Sequence, residues 1–164
     1  MKKFYPINKI KAALNIILSL AVLGACMAIQ ILDSGAMAVL DVINYITMIL
    51  AFYFALLFGF DLFSKKSGLT VDDAGIHINY GYFKNIILEW EHVTGIVRER
   101  FFVTVQVDDT ERYLSKLPFI TRMLIGPYRK SYHTIFILRG YMLNVKNDEL
   151  FTVLENGKKQ SDRG

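Results

Sequence analysis

Two uncharged apolar runs constrain this chain more than anything else in it. Residues 12–32, AALNIILSLAVLGACMAIQIL, carry no Asp, Glu, Lys, Arg or His across 21 positions, and residues 42–60, VINYITMILAFYFALLFGF, do the same across 19. At about 1.5 Å of rise per residue the first run reaches roughly 30 Å as a helix, the hydrocarbon thickness of a bilayer. Between them, DSGAMAVLD (33–41) is long enough to turn one helix back along the other. A transmembrane helical hairpin is predicted.

Its direction follows from the basic residues. Lys2, Lys3, Lys9 and Lys11 precede the first run, Lys65 and Lys66 follow the second, and the connecting loop carries only Asp33 and Asp41. The positive-inside bias therefore puts both termini in the cytoplasm of a cell whose inner membrane the hairpin crosses. Leu23-Gly24-Ala25-Cys26 has the look of a lipobox, but the apolar run continues beyond Cys26 to Leu32, where a lipoprotein turns polar. The small-residue pairs Ala21/Ala25 and Gly24/Ala28, and the series Ala51, Ala55, Gly59, allow close helix approach, and packing within the hairpin is favoured over dimerisation. With no ionisable residue inside either run, the pair is expected to anchor rather than to transport.

The remaining half reads as short β-forming runs broken by turn residues. LTV (69–71), IHINY (76–80), YFKNIILEW (82–90), VTGIVRE (93–99) and FFVTVQV (101–107) are predicted strands, and HTIFIL (133–138) with YMLNV (141–145) a hairpin about Arg139-Gly140. Asn147 suits an N-cap, Asp148 and Glu149 a first helical turn, Leu150, Phe151, Val153 and Leu154 an apolar face, and Gly157 a stop. The domain plan is thus an N-terminal tail with two-helix anchor over 1–66, a cytoplasmic domain over 67–157 and a flexible tail over 158–164. The fold class is membrane-anchored α+β: a small antiparallel barrel or sandwich closed by a C-terminal helix.

Leu69-Thr70-Val71-Asp72-Asp73-Ala74-Gly75-Ile76, followed by Trp90-Glu91-His92-Val93, resembles the strand–turn–strand and W-E-x-I/V stretch of bacterial pleckstrin-homology-like (PH-like) domains. The ending Asn147-Asp148-Glu149-Leu150-Phe151-Thr152-Val153-Leu154 is similar to that family's closing helix. The layout as a whole resembles small bacterial inner-membrane proteins with a two-helix anchor and a PH-like cytoplasmic domain. The resemblance implies a fold and a location, not a reaction, and carries over no binding site.

Few residues invite chemistry. His77, His92 and His133 lack metal-motif spacing, the single cysteine sits in an apolar run, and no phosphate-cradling glycine loop is present. Glu89 and Glu91 flank Trp90, where capping backbone or pairing with Arg98 or Arg100 is the plainer use. No enzyme, cofactor or metal is expected. A net charge of +4 suits an acidic surface, but no nucleic-acid-binding motif is found, and a membrane tether argues against that partner.

The charge is uneven. From Arg112 to Lys146 there are seven basic residues and no acid, and residues 113–130 mix them with Leu114, Leu117, Phe119, Ile120, Met123, Leu124 and Ile125. The segment 111–125 is predicted as a short helix restarted near Pro118 and ended by Gly126-Pro127. It is read as packed on the barrel, as an interfacial element on anionic headgroups, or as a docking face for a protein. Arg112, Lys116, Phe119, Arg122, Arg129 and Lys130 are the candidate contact residues. The expected role is non-enzymatic: a PH-like domain held at the bilayer to bind anionic lipid headgroups or a membrane protein partner. The alternative is an immunity or accessory protein that binds a toxin or steadies a membrane complex.

Overall fold

The computed structural model describes residues 2–32, 38–81, 83–132 and 134–162, with the backbone alone for Leu32, Ala38, Val39, Gly126 and 128–130. Two units result. One is Lys9–Ser64; the other joins Met1–Asn8 to Lys65–Gly164.

The first unit is two helices, α1 (Lys9–Leu32) and α2 (Ala38–Phe63), packed on each other. Both are long and apolar enough to cross a membrane, over Lys9–Ile31 and Leu40–Phe63, and only 11% of each window is buried. That exposure is unlike a soluble core helix, which hides its apolar side chains. Polar side chains fix the helix faces. Asn44 Nδ2 donates to the Cys26 carbonyl at 3.0 Å and to Gln30 Oε1 at 2.8 Å. At the other end the Lys9 ammonium donates to the carbonyls of Asp61 (2.7 Å), Leu62 (2.7 Å) and Ser64 (2.6 Å). A helix leaves its last carbonyls without intrahelical partners and negative in sign, so a lysine from the start of one helix caps the end of the other.

This geometry reverses the expected use of the small residues on α1. Ser19, Leu23, Cys26 and Gln30 share one face by the 3.6-residue period, and Cys26 is buried. Ala21, Gly24, Ala25 and Ala28 lie on the opposite face and are exposed, with nothing within 4 Å of a Cβ placed on Gly24. On α2, Ala51 is buried as expected.

The second unit opens with a strand where a tail was expected. β1 (Lys3–Pro6) pairs antiparallel with β2 (Gly68–Val71), in register from Lys3↔Val71 to Pro6↔Gly68. β3 (Gly75–Tyr80) and β4 (Phe83–Glu89) extend this to a sheet of order β1-β2-β3-β4. β5 (Val93–Arg98), β6 (Val103–Val107) and β7 (Phe136–Leu138) form a second antiparallel sheet. The two sheets stay separate rather than closing into a barrel. The expected strand at 141–145 is instead a 3₁₀ turn over Gly140–Leu143, ended by Asn144 in the left-handed region at φ 54°. His133 lies outside the described residues.

The final helix, α5 (Asn147–Ser161), packs on β2 of one sheet and on β5 and β6 of the other, burying Leu150, Val153 and Leu154. It runs past Gly157, so residues 158–161 are helix rather than tail. Gly157 is there for contact: a Cβ on it would fall 2.6 Å from Trp90 Cζ2. Trp90, 3% exposed, sits in a 3₁₀ turn between β4 and β5 and donates its indole N–H to the Asp72 carbonyl at 2.8 Å. Lys158 Nζ donates to the Trp90 carbonyl at 3.2 Å. One residue thus joins three connections.

Gly157→Ala tests this contact. Alanine gains about 1 kcal/mol of helix propensity, but forcing a methyl against a buried indole costs about 1–3 kcal/mol, so a net loss is expected. A thermal midpoint at or above the wild-type value would contradict the packing described.

Candidate functional site

The basic, apolar segment forms two helices between β6 and β7: α3 (Thr110–Leu114) and α4 (Phe119–Tyr132). Asp109 caps α3, its carboxylate accepting from the Arg112 amide at 3.0 Å. Pro118 separates the helices, and its carbonyl accepts from the Arg122 amide at 3.0 Å. α4 does not end at Gly126-Pro127. Pro127 lies inside it, its missing N–H leaving the Met123 carbonyl without the usual bond while the helix continues to Tyr132.

Burial divides the segment. Tyr113, Leu117, Thr121 and Ile125 are buried, with the Tyr113 ring edge-on to Phe136 at 5.3 Å. Phe119 (71% exposed) and Met123 (56%) stand one helical turn apart on the outer face with Arg122 beside them. α4 thus has a buried side, at Thr121 and Ile125, and an exposed side, at Phe119 and Met123.

The candidate residues take different surroundings. Arg112 turns to His92, its Nη1 2.9 Å from Nε2. Lys116 Nζ lies 5.7 Å over the Tyr113 ring. Phe119 and Arg122 share the outer start of α4. Arg129 and Lys130 are helical in backbone, and their side chains lie outside the description.

Arg112 joins a cluster that connects β4, β6 and α3. His92 Nδ1 is 3.0 Å from Asp108 Oδ2, and Nε2 is 3.4 Å from Glu89 Oε2 and 3.6 Å from Glu91 Oε1. Because a guanidinium only donates, Nε2 accepts from Arg112 in neutral His92 and Nδ1–H donates to Asp108. The hydrogen bond to Asp108 raises the His92 pKa above its ordinary value, against desolvation and the charge of Arg112, and His92 in turn lowers that of Asp108. Ligand atoms of Glu89, Glu91 and His92 lie within 4.8 Å of one another. The Arg112 guanidinium holds the place a cation would take against Nε2.

The strongest organisation concerns the two ends of this unit. In an antiparallel meander alternate connections fall at the same end. Pro6, Gly68, Asn79 and the Tyr80–Phe83 turn align at one end of the first sheet; Val71, Gly75 and Glu89 align at the other. In the second sheet Arg98, Val103 and Leu138 align, opposite Val93 and Val107. Hydrogen bonds tie like ends together: Asn8 N to Met142 O at 2.7 Å, Gly140 N to Asn147 Oδ1 at 3.0 Å, and Arg98 to Asp148 at 2.7 Å. We call this the exit end, because the chain leaves the unit there after Asn8 and re-enters at Lys65. It carries Lys65, Lys66, Lys84, Arg98, Arg100, Arg139 and Lys146 against Glu99, Asp148 and Glu149.

The far end carries Asp72, Asp73, Glu89, Glu91, Asp108, Asp109 and Glu111. Of its cations, Arg112 is engaged with His92, Lys158 pairs with Asp162 at 2.6 Å and Lys159 with Glu155 at 3.0 Å, while Lys2 precedes β1 and Lys3 opens it. A cavity of about 320 Å³ opens there beside Asp72, Asp73, Trp90 and Gln160. Sequence reasoning looked for charge along the chain and missed charge by connection. The signal was present, since the acids cluster at alternate links between predicted strands.

Among known proteins, no family model, curated protein or solved structure matches this chain.

The His92–Asp108 pair yields a pH dependence. A raised folded-state pKa means that protonated His92 stabilises the fold below its unfolded pKa, and that this contribution is lost as pH rises through the folded value. The thermal midpoint of the full chain should therefore fall across the neutral range more steeply than that of His92→Gln. Parallel profiles for the two proteins would remove the assignment.

Proposed function

We propose that this chain is a non-enzymatic integral inner-membrane protein that presents a PH-like domain at the cytoplasmic face, where it binds the lipid surface or a membrane-bound protein. The observation that carries the reading is the position of the apolar hairpin between two strands paired with each other, β1 and β2. Such an insertion requires the chain to leave and return at one side of the sheet, as two passes across a bilayer do and one pass does not. The PH-like assignment draws on the plan of a four-stranded and a three-stranded antiparallel sheet followed by one C-terminal helix. The absence of Lys and Arg between the spans, against Lys2, Lys3, Lys9, Lys11, Lys65 and Lys66 outside them, supports cytoplasmic termini.

Single-cysteine labelling of the full chain on a Cys26→Ala background tests location and direction together. Ser34→Cys is expected to react with an impermeant maleimide in intact spheroplasts, and Gln160→Cys only after permeabilisation. Labelling in the reverse order would overturn the orientation. Release of the chain from membranes by alkaline carbonate would overturn insertion.

A second reading, an accessory or immunity protein gripping a partner through the spans, draws on the exposed Ala21, Gly24, Ala25 and Ala28 face. Close-approach faces bind another helix by van der Waals packing, which a large side chain blocks. Under this reading one stoichiometric partner co-purifies with the wild type and is lost with Gly24→Leu. Retention of that partner by the variant would dismiss the face.

A further inference from the structure

We propose that the exit end of the soluble unit is a docking surface for anionic phospholipid headgroups, holding the domain basic end toward the bilayer and acidic end toward the cytoplasm. The inference rests on the membrane reading above and adds which surface meets the lipid.

Three observations converge. The first is connectivity. Ile7 N donates to Ser67 O at 3.1 Å and Asn8 N to Met142 O at 2.7 Å, so both chain exits are hydrogen-bonded into this end. Its lipid contact is therefore nearly intramolecular, and a tether supplies high effective concentration to weak individual contacts.

The second is charge. Lys84 lies at the start of β4, Arg100 in the β5–β6 connection and Arg139 after β7, and the fold gathers them at the same end as Lys65 and Lys66. Of the acids at this end, Asp148 is paired with Arg98. Each basic residue near an anionic leaflet favours binding by roughly fivefold, within about a Debye length of the surface. The acids of the far end are repelled by the same potential, so attraction and repulsion select one orientation.

The third is the pairing of aromatic rings with arginines. Phe101 is 67% exposed with the Arg100 Cζ 5.1 Å from its ring centroid, and Tyr141 is 49% exposed with its hydroxyl 3.5 Å from Arg139 Nη1. A ring beside a cation suits the headgroup layer, where apolar body and charge are both accommodated. The start of α4, by contrast, follows α3, whose cap sits beside Asp108 at the far end. Its exposed Phe119 and Met123, beside Arg122, make it the competing surface.

The full chain, on a Cys26→Ala background, is reconstituted in phosphatidylcholine vesicles with and without phosphatidylglycerol. An environment-sensitive fluorophore is placed through Tyr141→Cys, Asp73→Cys or Arg122→Cys, with headgroup-spin-labelled lipid as quencher. In anionic vesicles at low salt, quenching at 141 should exceed that at 73 and 122 several-fold. The excess should shrink in neutral vesicles, in high salt, and in a Lys84→Gln, Arg100→Gln, Arg139→Gln variant whose Trp90 emission confirms its fold. Equal quenching at 141 and 73, or stronger quenching at 122, overturns the docking surface while leaving the membrane protein intact. A chain that alkaline carbonate strips from the vesicles overturns the membrane reading and this inference together.

Discussion

Everything else in this structure hangs on the pairing of β1 with β2. Four residues before the apolar hairpin are zipped to four residues after it, across the whole span from 7 to 67. The cost of closing a loop grows only slowly with its length, and a loop that is itself a packed helical pair loses less still. The ladder supplies the first sheet with its outer strand and hydrogen-bonds the chain on both sides of the hairpin to one domain. It also leaves only Ile7 and Asn8 between the sheet and α1.

Trp90 plays the corresponding part at the opposite end. Its indole bonds the β2–β3 turn, its ring fills the space that Gly157 leaves on α5, and its carbonyl receives Lys158. Next to it, His92 gathers Asp108 and Arg112 and so connects the sheets to the start of the helical insertion. The acidic end is built around buried aromatic packing with charges arranged outside it. The basic end is built around backbone hydrogen bonds of the strands and the 140–144 turn.

Several features were legible from residues alone because they rest on local pattern. The two apolar runs, six of the strands and the closing helix each follow from period, length and turn chemistry within a short window. Others were not legible. KFYP, bounded by a lysine and a proline, carries no strand pattern of its own, and becomes a strand because β2 offers it an edge. YMLNV alternates well enough for a strand, but the Gly140 amide bonded to Asn147 and the left-handed Asn144 coil it into a turn. Gly157 reads as a helix stop and is a contact residue. The surface candidates were grouped by closeness in sequence, and the partners of two of them, His92 for Arg112 and the Tyr113 ring for Lys116, are set only by the fold.

What the sequence by itself determined is where apolar surface must be hidden and which stretches can be helix or strand. Those properties belong to each segment and its solvent. Only the tertiary structure decided that the first strand belongs to the domain after the hairpin, that Ala21, Gly24, Ala25 and Ala28 face away from α2, and that basic residues far apart in the chain meet at the end where the chain exits. These are relations between residues far apart in the chain. They depend on strand pairing, on the order in which connections alternate between ends, and on polar contacts such as Asn44 to Gln30 that choose one helix face over another.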